Sequence, residues 1–304
     1  MQRLYVNRDD PIYTYAISFM EGHWGVKGIF PGCQPVSIEY KHFNTLKQNP
    51  YVVCEKTDGV RFMLLAFMFE NKKRCVFLNR AMDMFECSLN FRKPVYDGTI
   101  LEGELYEDTF MIYDCLTVSG SVIGNRNFVD RLESIEKLLK MLTVLKYDPI
   151  KLKIKKFFPL AEFEHFMNVY LPTVKQKIDG LIFTPVMETV KTGTHETMYK
   201  WKPRDKNTID FQFKKKGAIW RLYVQERGNL IFESEIREEW VPPGIHIEED
   251  SIIECQYMHQ DEPMWWKPIQ RRYDKTYPNG RRTFYRTLVN IKEDIKMSDF
   301  LSCT

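Results

Sequence analysis

No apolar run in this 304-residue chain approaches the roughly 20 residues needed to span a bilayer. The longest, Phe62 to Phe69, has the length of a strand, so no membrane partner is expected. The opening MQRLYVNRDD carries Arg and Asp where a secretory signal needs an apolar centre, which argues against export. Seven cysteines (Cys33, Cys54, Cys75, Cys87, Cys115, Cys255, Cys303) are odd in number and form no CxxC pair. That disfavours a zinc ribbon or a disulfide framework and favours an intracellular reducing compartment. His23, His42, His165, His195, His246 and His259 have no metal-ligand spacing. Charge of one sign is scarce too: 44 Lys plus Arg against 41 Asp plus Glu leaves +3. Such a balance does not describe a protein that wraps a polyanion, so any nucleic-acid contact should be local. There is no internal repeat, heptad run or low-complexity linker.

What is present is ordinary globular material, 44% hydrophobic and 28% charged, which excludes disorder as the main state. Aromatics at 14% suit strands and stacking surfaces. The length suggests two compact domains or one large one. Up to about Lys202 strands and helices mix. Tyr51–Glu55, Phe62–Phe69, Arg74–Leu78, Ile100–Leu105, Phe110–Tyr113 and Gly180–Thr184 are predicted strands. Phe128–Lys146 has a helical period, with Leu132, Ile135, Leu138, Leu139, Leu142 and Leu145 on one face, and Ala161–Val169 is a second predicted helix. Beyond about Arg204 come short strands at Ile209–Phe213, Trp220–Val224, Asn229–Glu233 and Ile252–Gln256. They suggest a small barrel, with the oligonucleotide-binding (OB) barrel as a candidate. Thr283–Ile295 can be helical.

The sharpest local feature is Glu55-Lys56-Thr57-Asp58-Gly59-Val60-Arg61 between two apolar strands. Partial desolvation and the nearby Arg61 charge both push a lysine pKa down, as a nucleophilic amine requires. By itself it could equally be a charged hairpin, since Asp-Gly is a common turn dipeptide. Leu101-Glu102-Gly103-Glu104-Leu105 puts two acids on one strand face; simple solvent-facing alternation is the preferred account of Glu102. Phe110-Met111-Ile112-Tyr113-Asp114 ends an apolar strand with an aromatic that could stack on a base or simply fill the core. Asp179-Gly180-Leu181-Ile182-Phe183 follows, then Lys200-Trp201-Lys202-Pro203, whose two lysines are expected on one side of a strand around something anionic. Arg271-Arg272-Tyr273-Asp274-Lys275-Thr276-Tyr277-Pro278-Asn279 concentrates three bases with one acid.

In this order and spacing the set resembles the motifs of the covalent nucleotidyltransferases, which include mRNA-capping guanylyltransferases and ATP- or NAD-dependent polynucleotide ligases. The likeness runs from about Pro35 to Ile295. Arg272-x-Asp274-Lys275 with Pro278-Asn279, and Lys200-Trp201-Lys202-Pro203, look like the capping forms. Pro35-Val36-Ser37-Ile38-Glu39, Leu46-Lys47-Gln48-Asn49, Tyr51-Val52-Val53 and Thr287-Leu288-x-Asn290-Ile291 are similar to the compact capping enzymes of large DNA viruses.

The resemblance implies an α+β fold. A mixed α/β, ligase-type (ATP-grasp-like) nucleotidyltransferase domain would cover residues 1–203 and an OB-fold β-barrel lid 204–284. The segment 285–304 would be helical and pack back on the first domain. It also implies transfer of GMP from GTP, through a lysyl-N–GMP adduct on Lys56, to the 5′-diphosphate end of RNA. Arg61 and Arg80 match residues that hold the ribose and phosphate region, and Thr57 falls in the nucleotide site. Glu104 matches an acid that contacts ribose or metal, Tyr113 the base-stacking aromatic, and Asp179 an acid that helps bind a divalent ion, Mg²⁺ or Mn²⁺. Lys200 and Lys202 match α-phosphate contacts. Arg272, Asp274 and Lys275 would reach the β- and γ-phosphates on domain closure. A guanine O6 needs a donor, and Lys155 or Lys156 in Lys155-Lys156-Phe157-Phe158-Pro159-Leu160 matches the lysine that supplies it, Lys155 being preferred. RNA triphosphatase and cap methyltransferase would come from other proteins or domains. The setting implied is host cytoplasm or nucleus, or a virion. The alternatives are an ATP-dependent RNA ligase using the same Lys56, and a catalytically retired RNA-binding capping subunit.

Overall fold

The computed structural model describes residues 4–258 and 265–304, which leaves His259 outside the described residues. It divides into two compact units. One comprises residues 1–36, 44–200 and 303–304, the other 37–43 and 201–302.

The first unit is built on an eight-stranded sheet. Its strands run in the order Leu4–Val6, Met84–Glu86, Lys72–Asn79, Val60–Phe69, Thr99–Tyr106, Thr109–Val118 and Lys151–Ile154, with Ser121–Val122 pairing beside Thr109–Val118. Central strands such as Val60–Phe69 are apolar on both faces because each face meets a core. Phe62, Leu64 and Ala66 pack with Ile135 and Leu138 of the Phe128–Leu139 helix. Met63, Leu65 and Phe67 pack with Ile12, Ala16 and Met20 of the Pro11–Trp24 helix on the other side.

That Pro11–Trp24 helix was not anticipated, although its ends carry ordinary signals. The Asp10 side chain accepts from the Ile12 amide at 2.9 Å, Pro11 opens the first turn, and Gly25 closes the helix at φ 69°. The Phe128 helix is shorter than its apolar period suggested. It ends at Leu139, and Leu142 instead forms a bridge with Phe91. The second predicted helix is three short turns, Leu160–Glu162, Phe163–His165 and Phe166–Tyr170.

A second, five-stranded sheet has the order Phe158–Pro159, Tyr51–Thr57, Ile178–Pro185, Thr194–Trp201 and Gln34–Ser37. Short connections to the first sheet are the Asp58-Gly59 turn and residues 155–157 between Ile154 and Phe158; a longer one runs from Leu4–Val6 through the Pro11–Trp24 helix to Gln34–Ser37.

The second unit holds an antiparallel five-stranded sheet in the order Asn229–Arg237, Ile219–Glu226, Thr208–Lys216, Ile252–Tyr257 and Trp266–Arg271. The expected barrel is corrected here: no strand pairing among the described residues joins the two outer strands. The α+β class stands, with a β-rich C-terminal part. The Arg281–Glu293 helix contributes Phe284 and Ile291 to this unit's own core, beside Phe211, Leu222 and Trp266. No helix among the described residues is long and apolar enough to cross a membrane.

Candidate active site

Lys56 lies near the end of the Tyr51–Thr57 strand, and its Nζ donates to Asp179 Oδ1 at 2.9 Å and Oδ2 at 3.2 Å. A register shift explains how that acid reaches it. Ile178 pairs with Thr57 and Gly180 with Lys56, so Asp179 is the extra residue of a β-bulge. A bulge re-aims a side chain that regular alternation would point elsewhere.

After Lys56 the chain turns at Asp58-Gly59. A Cβ on Gly59 would lie 2.6 Å from the Leu105 carbonyl, so only glycine allows this backbone approach. The turn sets Arg61 opposite Glu104 in the pairing of Val60–Phe69 with Thr99–Tyr106. Burial lifts the Glu104 carboxyl above its ordinary range, against the charges of Lys56, Lys155 and Arg61 and a hydrogen bond from the Gly59 backbone.

Glu102 is 2% exposed, which overturns the solvent-facing account. Its Oε1 accepts from Arg61 Nη2 at 2.6 Å, and Arg61 Nη1 donates to the Cys33 carbonyl at 2.7 Å. Burial raises the Glu102 carboxyl while Arg61 draws it down. A Cβ on Gly32 would stand 2.6 Å from Glu102 Oε1, so the backbone is pressed against this ion pair. The Arg61 guanidinium lies 5.5 Å from the Phe30 ring centroid and 5.9 Å from that of Tyr113. Burial pushes the Tyr113 hydroxyl well above its usual value. Arg80 is exposed, yet partial desolvation and the like charge of Arg61 lower its guanidinium pKa.

Lys155 continues the first sheet, its amide donating to the Ile112 carbonyl at 2.8 Å. Its side chain is buried, with Nζ bonded to Thr57 Oγ1 and 3.4 Å from Glu55 Oε1. Lys156 goes elsewhere: its ammonium lies 4.9 Å from the Phe158 ring centroid and 5.0 Å from that of Tyr170.

The first unit therefore brings together Lys56, Thr57, Arg61, Glu104, Tyr113, Lys155 and Asp179. Lys200 is the penultimate residue of the Thr194–Trp201 strand, half-buried between Tyr199 and Trp201, which are both buried. That strand ends before Lys202, so the two lysines do not share one strand as expected.

Arg272, Asp274 and Lys275 belong to the second unit. Asp210, 5% exposed on the Thr208–Lys216 strand, accepts from Arg272 Nη1 at 3.3 Å and from Lys275 Nζ. Arg272 also pairs with Asp274 at 2.9 Å, and its guanidinium hydrogen bonds hold the Asp274 carboxyl below the ordinary range. Asn279 fixes the segment, donating its amide to the Asp210 carbonyl and accepting from the Asp210 amide, each at 2.8 Å. Asp210 was not anticipated; its only signal was an acid inside the apolar run Ile209–Phe213. Lys214, near the end of the Thr208–Lys216 strand, is ion-paired with Asp250 at 2.7 Å.

Glu104 and Asp179 are the acids the expected divalent cation would need, Asp179 being paired with Lys56 in this structure. Among the described residues no group of three or more His, Cys, Asp or Glu side chains is placed to hold a metal. Two carboxylates nonetheless fit Mg²⁺ or Mn²⁺, which commonly complete an oxygen shell with phosphate and water.

The sequence profile for the mRNA capping enzyme, catalytic domain, matches residues 15–204, and that for the mRNA capping enzyme, C-terminal domain, residues 178–301. The chain is 28% identical to the mRNA-capping enzyme subunit alpha of Schizosaccharomyces pombe over 90% of this chain and 79% of that one. It is 29% identical to the mRNA-capping enzyme of Danio rerio over 86% of this chain but only 47% of the other, so it spans about half of that relative. Against the Mus musculus mRNA-capping enzyme the identity is 27%, over 84% and 46%. These relatives are eukaryotic and lend no support to the viral likeness or to a virion setting. Among solved structures, mycobacterial DNA ligase D complexed with ATP and MES aligns at TM-score 0.44 and 13% identity, over 81% of this chain and 96% of that one, too loose a likeness to carry weight. With matches that together cover residues 15–301, the chain belongs to the mRNA capping enzyme family, as a nucleotidyltransferase with that family's catalytic and C-terminal domains.

Proposed function

We propose that this chain is the guanylyltransferase of mRNA capping, with Lys56 as the nucleophile. The observation that carries the reading is the Lys56 ammonium held 2.9 Å from Asp179 in a motif of the matched catalytic domain. In the first step the Lys56 ammonium gives one proton to solvent, and the neutral amine attacks the α-phosphorus of GTP. An N–P bond forms, the bond to the β-phosphate oxygen breaks, and pyrophosphate leaves. The proton shed by the amine passes to an acceptor, and Asp179 is already its hydrogen-bond partner. In the second step a terminal oxygen of 5′-diphosphate RNA attacks the same phosphorus, the N–P bond breaks, and Lys56 recovers its proton as the GpppN cap is released. Splitting one transfer between two polyanions into two steps is what covalent catalysis supplies.

Glu104 and Asp179 would hold the divalent ion, whose charge offsets that of the phosphates. Arg61 and Arg80 serve the ribose and phosphate region, Tyr113 stacks on the base, and Lys200 and Lys202 stabilise charge growing on the α-phosphate. Lys155 rather than Lys156 reads guanine O6, because Lys155 is buried against Thr57, next to the nucleophile, while Lys156 is spent on two aromatic rings. Arg272, Asp274 and Lys275 serve the β- and γ-phosphates in the first step. RNA triphosphatase chemistry would supply the acceptor, and cap methylation would consume the product.

Incubation with α-labelled GTP or ATP and Mg²⁺ or Mn²⁺ tests the reading. Label from GTP should remain on the wild-type chain after denaturation and be absent from Lys56→Ala. A covalent label from ATP alone would overturn it in favour of a ligase.

A further inference from the structure

Glu55, immediately before the nucleophile, is 2% exposed. A buried carboxylate is costly unless it is paired. Its Oε1 is 3.4 Å from Lys155 Nζ and accepts from the Tyr170 hydroxyl at 3.4 Å, while Oε2 is buried without a hydrogen-bond partner. Strand positions two apart share a face, so Glu55 and Thr57 bracket the Lys155 ammonium together while Lys56 is directed to Asp179.

The polarity of this group follows from elementary chemistry. A carboxylate only accepts and an ammonium only donates, through three N–H groups. Two of these are directed at Glu55 and Thr57, leaving one. The Thr57 hydroxyl accepts from Lys155, so its own proton remains to be donated. Lys155 and Thr57 can thus offer two donors to one acceptor. A guanine carbonyl satisfies such a pair, whereas the adenine amino group at the same position opposes it.

Resting on the assignment of Lys155 as the guanine reader, we propose that Glu55 is a positioning residue for purine choice. Its carboxylate touches no nucleotide. It supplies the buried counter-charge that holds the Lys155 ammonium against Thr57, and so fixes both the place and the donor polarity of the pair.

The test compares adduct formation from GTP, ITP and ATP by the full chain and by Glu55→Gln, which keeps the side chain's size and removes its charge. Folding is followed in parallel by thermal melting. The wild type should use ITP much as it uses GTP, since both carry the carbonyl. In Glu55→Gln the GTP-to-ATP ratio of kcat/KM should fall by about tenfold or more. The loss should appear in KM for GTP rather than in kcat. If Glu55→Gln does not fold, Thr57→Val, nearly isosteric but without the hydroxyl, should show the same drop. A folded Glu55→Gln or Thr57→Val with the wild-type ratio overturns the inference and leaves the guanylyltransferase reading intact. A wild-type chain that forms no adduct from GTP removes that reading, and this inference with it.

Discussion

At the residue scale the site depends on charges that would be unfavourable alone and are tolerable together. Lys56 has Asp179, Arg61 has Glu102, and Lys155 has Glu55. Lys56, Glu104 and Asp179 could be singled out as candidates because each sits in a short motif with a chemical reason for its residue type. Glu102 was misread because strand alternation cannot say whether water or Arg61 lies beyond a given face. With Glu102 at 3% and Arg61 at 18% side-chain exposure, the pair is largely desolvated. Removing one partner of a buried pair leaves the other charge uncompensated, so Glu102→Gln should lower unfolding free energy by about 3 kcal/mol. Urea denaturation checks this. A change below ~1 kcal/mol would mean the pair behaves like an exposed one.

At the element scale, the Asp58-Gly59 turn and the bulge at Asp179 do the positioning. The turn was legible as Asp-Gly, but its tolerance for nothing larger than glycine comes from Leu105, on a strand 46 residues later by numbering (105 − 59). Gly59→Ala would place a methyl 2.6 Å from that carbonyl. Overpacking of this kind costs about 1–3 kcal/mol. The strain falls between Lys56 and Arg61, so the rate of GMP adduct formation should drop more than the thermal midpoint alone would suggest. Single-turnover labelling well below the melting temperature measures this; a wild-type rate there would show the turn to be adaptable. The bulge was not read from the sequence, where the predicted strand began only at Gly180, although a glycine at a strand position is compatible with one. It exists only as a mismatch in pairing with Tyr51–Thr57.

At the scale of the whole molecule, the chain is two compact units, each with its own cluster of charged motif residues. In the second, Asp210 gathers Arg272 and Lys275, which the linear motif could not reveal because 62 and 65 residues separate them from it. If these cations serve the β- and γ-phosphates, their work ends when pyrophosphate leaves. Arg272→Ala or Lys275→Ala should then slow formation of the GMP adduct at least about tenfold more than transfer from a preformed adduct to 5′-diphosphate RNA. Separate assays of the two half-reactions decide the matter, and equal losses in both would contradict the first-step role.

The order of motifs, the apolar alternation of the central strands and the strand-rich last third are properties of neighbouring residues, and the sequence by itself determined them. It was enough to place the chain among covalent nucleotidyltransferases and to single out Lys56. Tertiary structure alone decided which partners each charge received. The Lys56–Asp179 contact spans 123 residues and the Lys155–Thr57 contact 98. Such pairs are set by strand register, a bulge and the junction of two sheets, none of which is written in local periodicity. The same limit explains the barrel: short strands and turns announce a β-rich unit, but closure depends on whether the two outer strands meet, and here they do not pair among the described residues.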